Sequence, residues 1–199
     1  MTEREFAQRI ESMQRDGFAI VPDILTAAEC DEAQAALERL ASARARGGME
    51  CLFNKARIFE RLYQVPEFLR FVRYFLGADA LLSSMHGSIL GPGEGGRSLH
   101  ADGAITGHNR EVSLAPADAN TRITSHVVAL NTITCISEFT AYNGATELVP
   151  GSHLHPTLDR PAGAGERAVT AVAARGSVVV FNANTWHGPT ENRTDTARY

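Results

Sequence analysis

Lysine is almost missing from this 199-residue chain: Lys55 stands alone, and arginine supplies the other basic residues. The spacing of those arginines shows no cluster built for phosphate, so the bias reads as coding preference. With a net charge of −4, no basic field is available to recruit nucleic acid or an anionic membrane surface. Cysteine is scarce as well. Cys30, Cys51 and Cys135 are odd in number, widely separated and without a C-x-x-C pair, which predicts free thiols in a reducing cytoplasm. Long apolar runs are lacking: no window approaches the roughly 18 apolar residues of a spanning helix, and the charged stretch 1–17 is unlike a signal peptide. Internal repeats, low-complexity tracts and any sign of a second domain are missing too. What remains is ordinary globular material, 44% hydrophobic and 21% charged, long enough for one domain with a real core.

The chain divides by texture. Up to about residue 80 it reads as helical, with one short strand at 17–21 stopped by Pro22. Thr26-Ala27-Ala28-Glu29 has the form of a capping box, in which hydroxyl and carboxylate each satisfy the other residue's backbone N–H. The helix it opens sets Cys30, Ala33, Leu37 and Leu40 on one stripe and is expected to close near Gly47-Gly48. Pro66 starts a second helix that runs to about Gly77, with Phe68, Phe71, Val72 and Phe75 on its apolar face. From residue 81 onward, β-prone runs at 81–90, 98–102, 125–136, 146–149, 168–173, 177–182 and 186–188 alternate with Gly, Pro and Asn. Many short strands with turn signals predict a sandwich or barrel rather than βαβ units. Two long connections, 103–124 and 154–167, are candidates for functional loops or mobile surface.

Within the β-prone part, His100-Ala101-Asp102 would project an imidazole and a carboxylate from one face of a strand. His-x-Asp is a common tripeptide, and alone it reads most simply as a solvated polar pair. A distant partner changes that. His187 follows an apolar strand and a turn, and two histidines with one carboxylate on one face leave coordination positions open, as non-haem Fe(II) oxygenases require. Arg198, eleven residues further on, could bring a planar cationic fork to the far carboxylate of a dicarboxylate cosubstrate. An exposed surface arginine is the alternative reading of that residue.

Four segments then occur in order: Asp16-Gly17-Phe18-Ala19-Ile20-Val21-Pro22, Leu99-His100-Ala101-Asp102-Gly103, Asn143-Gly144-Ala145-Thr146-Glu147-Leu148-Val149-Pro150-Gly151-Ser152-His153, and Trp186-His187-Gly188-Pro189-Thr190-Glu191-Asn192. Together they resemble the phytanoyl-CoA dioxygenase family of Fe(II)/2-oxoglutarate oxygenases, from about residue 13 to the end. The resemblance implies a mainly β fold with N-terminal helices, a double-stranded β-helix or cupin-like jelly roll. That is one domain over 1–199, helical to about 80 and jelly roll from about 81. It implies that His100, Asp102 and His187 hold iron, and that Arg198 and Thr146 hold 2-oxoglutarate. Ser98 and Asn131 are further inward-facing cosubstrate candidates. Many members carry a serine where this chain has Pro189. The family's arginine strand normally continues, whereas here Tyr199 follows Arg198 directly, so a fragment or a barrel lacking its closing strand is expected.

The implied chemistry couples decarboxylation of 2-oxoglutarate by dioxygen to oxidation of a small-molecule substrate, releasing succinate and CO2. Related halogenases have Ala or Gly at the carboxylate position, so Asp102 favours hydroxylation, though desaturation, epoxidation or ring formation could use the same ligands. Two rivals share the scaffold: a zinc- or manganese-dependent cupin-type isomerase, and a non-enzymatic binding module. Among the other residues, His153 is expected to make a structural hydrogen bond near a turn, and Cys135 to be a buried thiol. His86 and His126 are expected in strands, and His108 and His155 in loops. Trp186 is expected in the core. Arg97, Arg110 and Arg122 are available to serve a CoA thioester near the mouth, and ordinary solvated positions explain them equally well.

Overall fold

A computed structural model describes residues 1–42, 49–96, 99–102 and 122–199. Helix α1 (Glu3–Asp16) opens on a capping box: Thr2 Oγ1 accepts from the Glu5 backbone at 3.3 Å, and the Glu5 carboxylate accepts from the Thr2 backbone at 2.7 Å. It closes on Gly17, whose φ of 87° is open to glycine at little strain. A β-carbon at Gly17 would also lie 2.5 Å from both His153 Nδ1 and Thr185 Oγ1. Strand β1 (Phe18–Val21) follows. Helix α2 (Ala27–Ser42) carries the expected Thr26–Glu29 box, with bonds of 2.8 and 3.2 Å. Cys30, Ala33 and Leu37 of the predicted stripe are buried. Its predicted end at Gly47-Gly48 lies outside the described residues. Helix α3 (Arg57–Tyr63) escaped the sequence reading, whereas α4 (Pro66–Leu76) begins and ends as expected, with Phe71 fully buried.

Among the described residues, six strands form two three-stranded antiparallel sheets. In the first, β5 (Val178–Asn182) lies between β1 and β2 (Leu130–Thr134). Every residue of β5 is buried because helices cover one face of the sheet and the second sheet the other. Val178 and Val180 pack with Ala19 and Val21 against Ile10 and Met13 of α1 and Phe71 of α4. Val179 and Phe181 point the other way, into a core shared with Cys135, Phe139, Ala145 and Leu148. Burying each such large side chain contributes about 1.5–3 kcal/mol. In the second sheet, β3 (Thr146–Leu148) pairs with β4 (Val169–Thr170) and β6 (His187–Pro189).

Several expected strands are shorter or missing. The run 81–90 is not a strand; Leu81 is 93% exposed, and only Leu90 makes a β-bridge, to Arg198. An apolar run becomes a strand only where a neighbour meets its backbone groups, and here the chain instead touches 49–52 through bonds from Leu52 to Met85 and from Gly87 to Met49. The run at 98–102 likewise reduces, in its described part, to one bridge between His100 and His187. His86 and His126 are exposed and outside any strand. The connection 154–167 contains a short helix, α5 (Ala164–Arg167). No helix among the described residues is long and apolar enough to cross a membrane.

Candidate metal centre

The two imidazoles are brought together by backbone pairing. His100 N donates to His187 O at 2.9 Å and His187 N to His100 O at 2.8 Å, which sets the rings 4.4 Å apart. Asp102 is placed by a different contact, its N–H donating to Ala183 O at 2.9 Å. The carboxylate then spans both rings, with Oδ1 3.5 Å from His100 Nε2 and Oδ2 3.5 Å from His187 Nε2. One donor atom from each of the three residues lies within 4.8 Å of the others, a group that could hold a metal ion.

His187 is prepared for that role on its far side. Its Nδ1–H donates to Thr185 O at 2.9 Å, which fixes the tautomer and leaves the Nε2 lone pair facing Asp102 and His100. Burial pushes its pKa below the ordinary value, against the opposing pulls of the Thr185 hydrogen bond and Asp102, which favours the neutral ring. The His187 side chain is 9% exposed and that of His100 51%, so the centre opens to solvent on the His100 side.

The remaining predicted residues take distinct places. Asn131 faces inward, opposite Phe181 in the sheet register. Its amide donates to Asp102 Oδ2 at 2.6 Å, so it braces the carboxylate directly. Thr146 is 6% exposed and pairs with Pro189 while Leu148 pairs with His187. Cross-strand partners and alternate residues share a face, which puts Thr146 on the His187 side of its sheet. Arg198 is buried against Phe139, its guanidinium carbon 4.5 Å from the ring centroid, and its Nε has no hydrogen-bond partner among the described residues. Burial lowers its pKa. Ser98, Arg97, His108 and Arg110 lie outside the described residues.

Residues 13–199 match the family model for phytanoyl-CoA dioxygenase. The chain belongs to the phytanoyl-CoA dioxygenase family. Among its relatives, the dioxygenase af480 of Aspergillus fumigatus is 29% identical over 92% of this chain and 60% of its own length. The dioxygenase trt7 of Aspergillus terreus is 33% identical over 63% of this chain and 38% of its own. The chain thus spans less than two thirds of the length of these curated relatives. Of solved structures, the non-heme monooxygenase ThoJ in a nickel complex superposes with a TM-score of 0.70 at 24% identity, over 94% of this chain and 72% of that one. The non-heme alpha ketoglutarate dependent epimerase SnoN gives 0.70 at 20% identity, over 99% and 79%. These two likenesses establish a shared fold.

Several further residues hold the segments around this centre in place, through contacts that residue type alone did not reveal. Ser152 Oγ accepts from Trp186 N at 2.9 Å, just before His187. His153, buried as expected for a structural histidine, reaches Gln14 O at the end of α1 through Nε2 at 3.2 Å. Thr185 Oγ1 donates to Gly17 O at 3.0 Å. Asn192, fully buried, donates to Leu90 O at 2.9 Å and Thr196 O at 2.8 Å. Cys135 is a buried thiol with its pKa pushed up to about 12 by desolvation. Of the two readings open for Arg122, the solvated one is overturned: the residue is 8% exposed, because several backbone carbonyls converge on its guanidinium.

Proposed function

We propose that this chain is a non-haem Fe(II)/2-oxoglutarate-dependent dioxygenase that oxidises, by hydroxylation, a C–H bond of a small-molecule metabolite. The observation that carries the reading is the cluster of His100, Asp102 and His187, with His187 Nδ1 already committed to Thr185 O. Two neutral nitrogens and one carboxylate suit iron(II) and leave positions free for a chelating cosubstrate. In this reading His100, Asp102 and His187 hold the metal, and Arg198 and Thr146 hold the distal carboxylate of 2-oxoglutarate. A buried guanidinium whose Nε is unsatisfied is costly without an anion, and a carboxylate supplies both the charge and the acceptors. Ser98 remains a further cosubstrate candidate. Asn131 is assigned first to Asp102, whose carboxylate it already holds at 2.6 Å.

When bound, iron(II) and 2-oxoglutarate would supply oxidative decarboxylation by dioxygen, yielding succinate, CO2 and an oxidant for the substrate. The protein's own task is orientation. Thr185 holds the His187 ring in one tautomer, Asn131 fixes the Asp102 carboxylate, and Phe181 packs 4.6 Å from the His187 ring, excluding water from that side. Substrate would approach from the more exposed His100 side. The reading takes 1–199 as a single domain whose core from about residue 81 is a jelly roll. Its setting is a reducing cytoplasm, in keeping with the three free cysteines.

The test is succinate formation from 2-oxoglutarate in the presence of Fe(II) and oxygen. Wild type is expected to form succinate and His187→Ala none. Equal succinate from both would refute the reading. Product carrying no oxygen from O2 would shift it from hydroxylation to desaturation, ring formation or epimerisation, the last being the class for which SnoN is named.

A further inference from the structure

The turn before His187 exposes three consecutive carbonyls, and each is committed. Ala183 O accepts from the Asp102 backbone at 2.9 Å, and Thr185 O from His187 Nδ1 at 2.9 Å. The one between them, Asn184 O, accepts a hydrogen bond from Arg122 Nη2. The same guanidinium directs Nη1 toward Ser152 O and Thr157 O at 3.5 Å each, while the Arg122 backbone donates to Pro156 O at 2.9 Å. Asn184 returns the contact, its Nδ2 donating to Ile123 O at 2.9 Å.

We propose that Arg122 is a positioning residue for the metal centre, locking the central peptide of the turn that orients both Asp102 and His187. A peptide is a rigid plane, so the Asn184 carbonyl cannot rotate without also turning the Thr185 N–H, which donates to Asn182 O at 2.8 Å and holds the turn between the Ala183 and Thr185 carbonyls. Those two carbonyls are the ones on which the Asp102 backbone and the His187 tautomer depend. Arg122 sits where only a buried cation with several donors can hold one carbonyl on the turn and reach two on another segment. Its burial is expensive, and desolvation lowers its pKa to about 10. A well-packed apolar side chain would avoid that cost, so the retained charge points to a demand for direction rather than for stability. Ser152, one of its acceptors, also holds Trp186 N through its hydroxyl, so the clasp grips the turn and the start of β6 together.

This inference rests on the metal reading above, and its test separates the two. In metal-free protein, long-range proton–nitrogen NMR reads the His187 tautomer. Wild type is expected to show the Nδ1–H form, and Arg122→Met a mixture of both. Cobalt(II) titration of the same samples is expected to show affinity lower by about 10–100-fold in Arg122→Met, with an altered visible spectrum. Arg122→Lys, which keeps the charge but not the fork, should fall between them and serves alone if Arg122→Met fails to fold. Val21→Ala, a core truncation against the helices, controls for loss of stability and should leave tautomer and affinity unchanged. Variants of Arg122 that match wild type in tautomer and cobalt affinity overturn this proposal while leaving the metal reading intact. Wild type that shows the Nδ1–H tautomer but binds no cobalt overturns the metal reading, and this proposal with it.

Discussion

Asn192→Ala removes a fully buried side chain that knits the Arg198 segment into the core. Its amide makes four hydrogen bonds: to Leu90 O at 2.9 Å, to Thr196 O at 2.8 Å, and from Thr194 N and Oγ1 at 3.1 and 2.7 Å. At about 0.5–1.5 kcal/mol net for each, the loss is bounded near 2–6 kcal/mol. Two partners soften it. Leu90 O keeps Arg198 N at 2.9 Å, and the Thr194 hydroxyl, released from Asn192, is free to donate to Thr196 O at 3.2 Å, so neither carbonyl is stranded. The lower part of the range applies, about 3 kcal/mol, which for a chain of this size lowers Tm by about 6–12 °C. If about half of that appears as disorder of the segment carrying Arg198, 2-oxoglutarate affinity falls about tenfold. Differential scanning calorimetry reads the first effect, and anaerobic titration of the iron-loaded protein reads the second. A Tm within about 2 °C of wild type refutes the hydrogen-bond reasoning. A full fall in Tm with unaltered cosubstrate affinity refutes the link to Arg198.

Three other outcomes follow from the same geometry. Gly17→Ala places a β-carbon 2.5 Å from His153 Nδ1 and Thr185 Oγ1 at a φ of 87°, so urea denaturation should show a loss of about 3 kcal/mol; under about 1 kcal/mol would contradict the packing. Asn131→Ala should weaken metal binding about 10–100-fold with the fold preserved, whereas unchanged metal affinity with a raised KM for 2-oxoglutarate would return Asn131 to the cosubstrate. Burial depresses the pKa of both His187 and His153 below 6.5, so the unfolded chain binds more protons. The Tm of metal-free protein should therefore fall as pH drops below about 6.5, and a rise between pH 7 and 5.5 would contradict the burial of these rings.

Legibility in the sequence followed the range of the interaction. The Thr26–Glu29 box and the Pro66 helix start are local, and both appear where the residue types put them. Inward-facing Asn131 follows from period-2 alternation on β2, but its target does not, because Asp102 reaches it from a separate segment. His100 and Asp102 do converge, though not as two residues of a regular strand. A single bridge to His187 places one, and a backbone bond to Ala183 places the other. The run at 81–90 has the composition of a strand and no ladder, since composition says nothing about whether a partner edge exists. Arg122 was unreadable for a related reason. Its burial depends on carbonyls from Ser152, Thr157 and Asn184 meeting at one point, which no local pattern encodes.

The central claim is that His100, Asp102 and His187 hold an iron that 2-oxoglutarate chelates. Anaerobic addition of Fe(II) and then 2-oxoglutarate to the purified protein, followed by visible absorption, tests it most directly. Wild type should develop a weak charge-transfer band that saturates at one iron per chain, and His187→Ala should develop none while remaining folded. A wild-type protein with no band, or a His187→Ala variant with the same band, would contradict it.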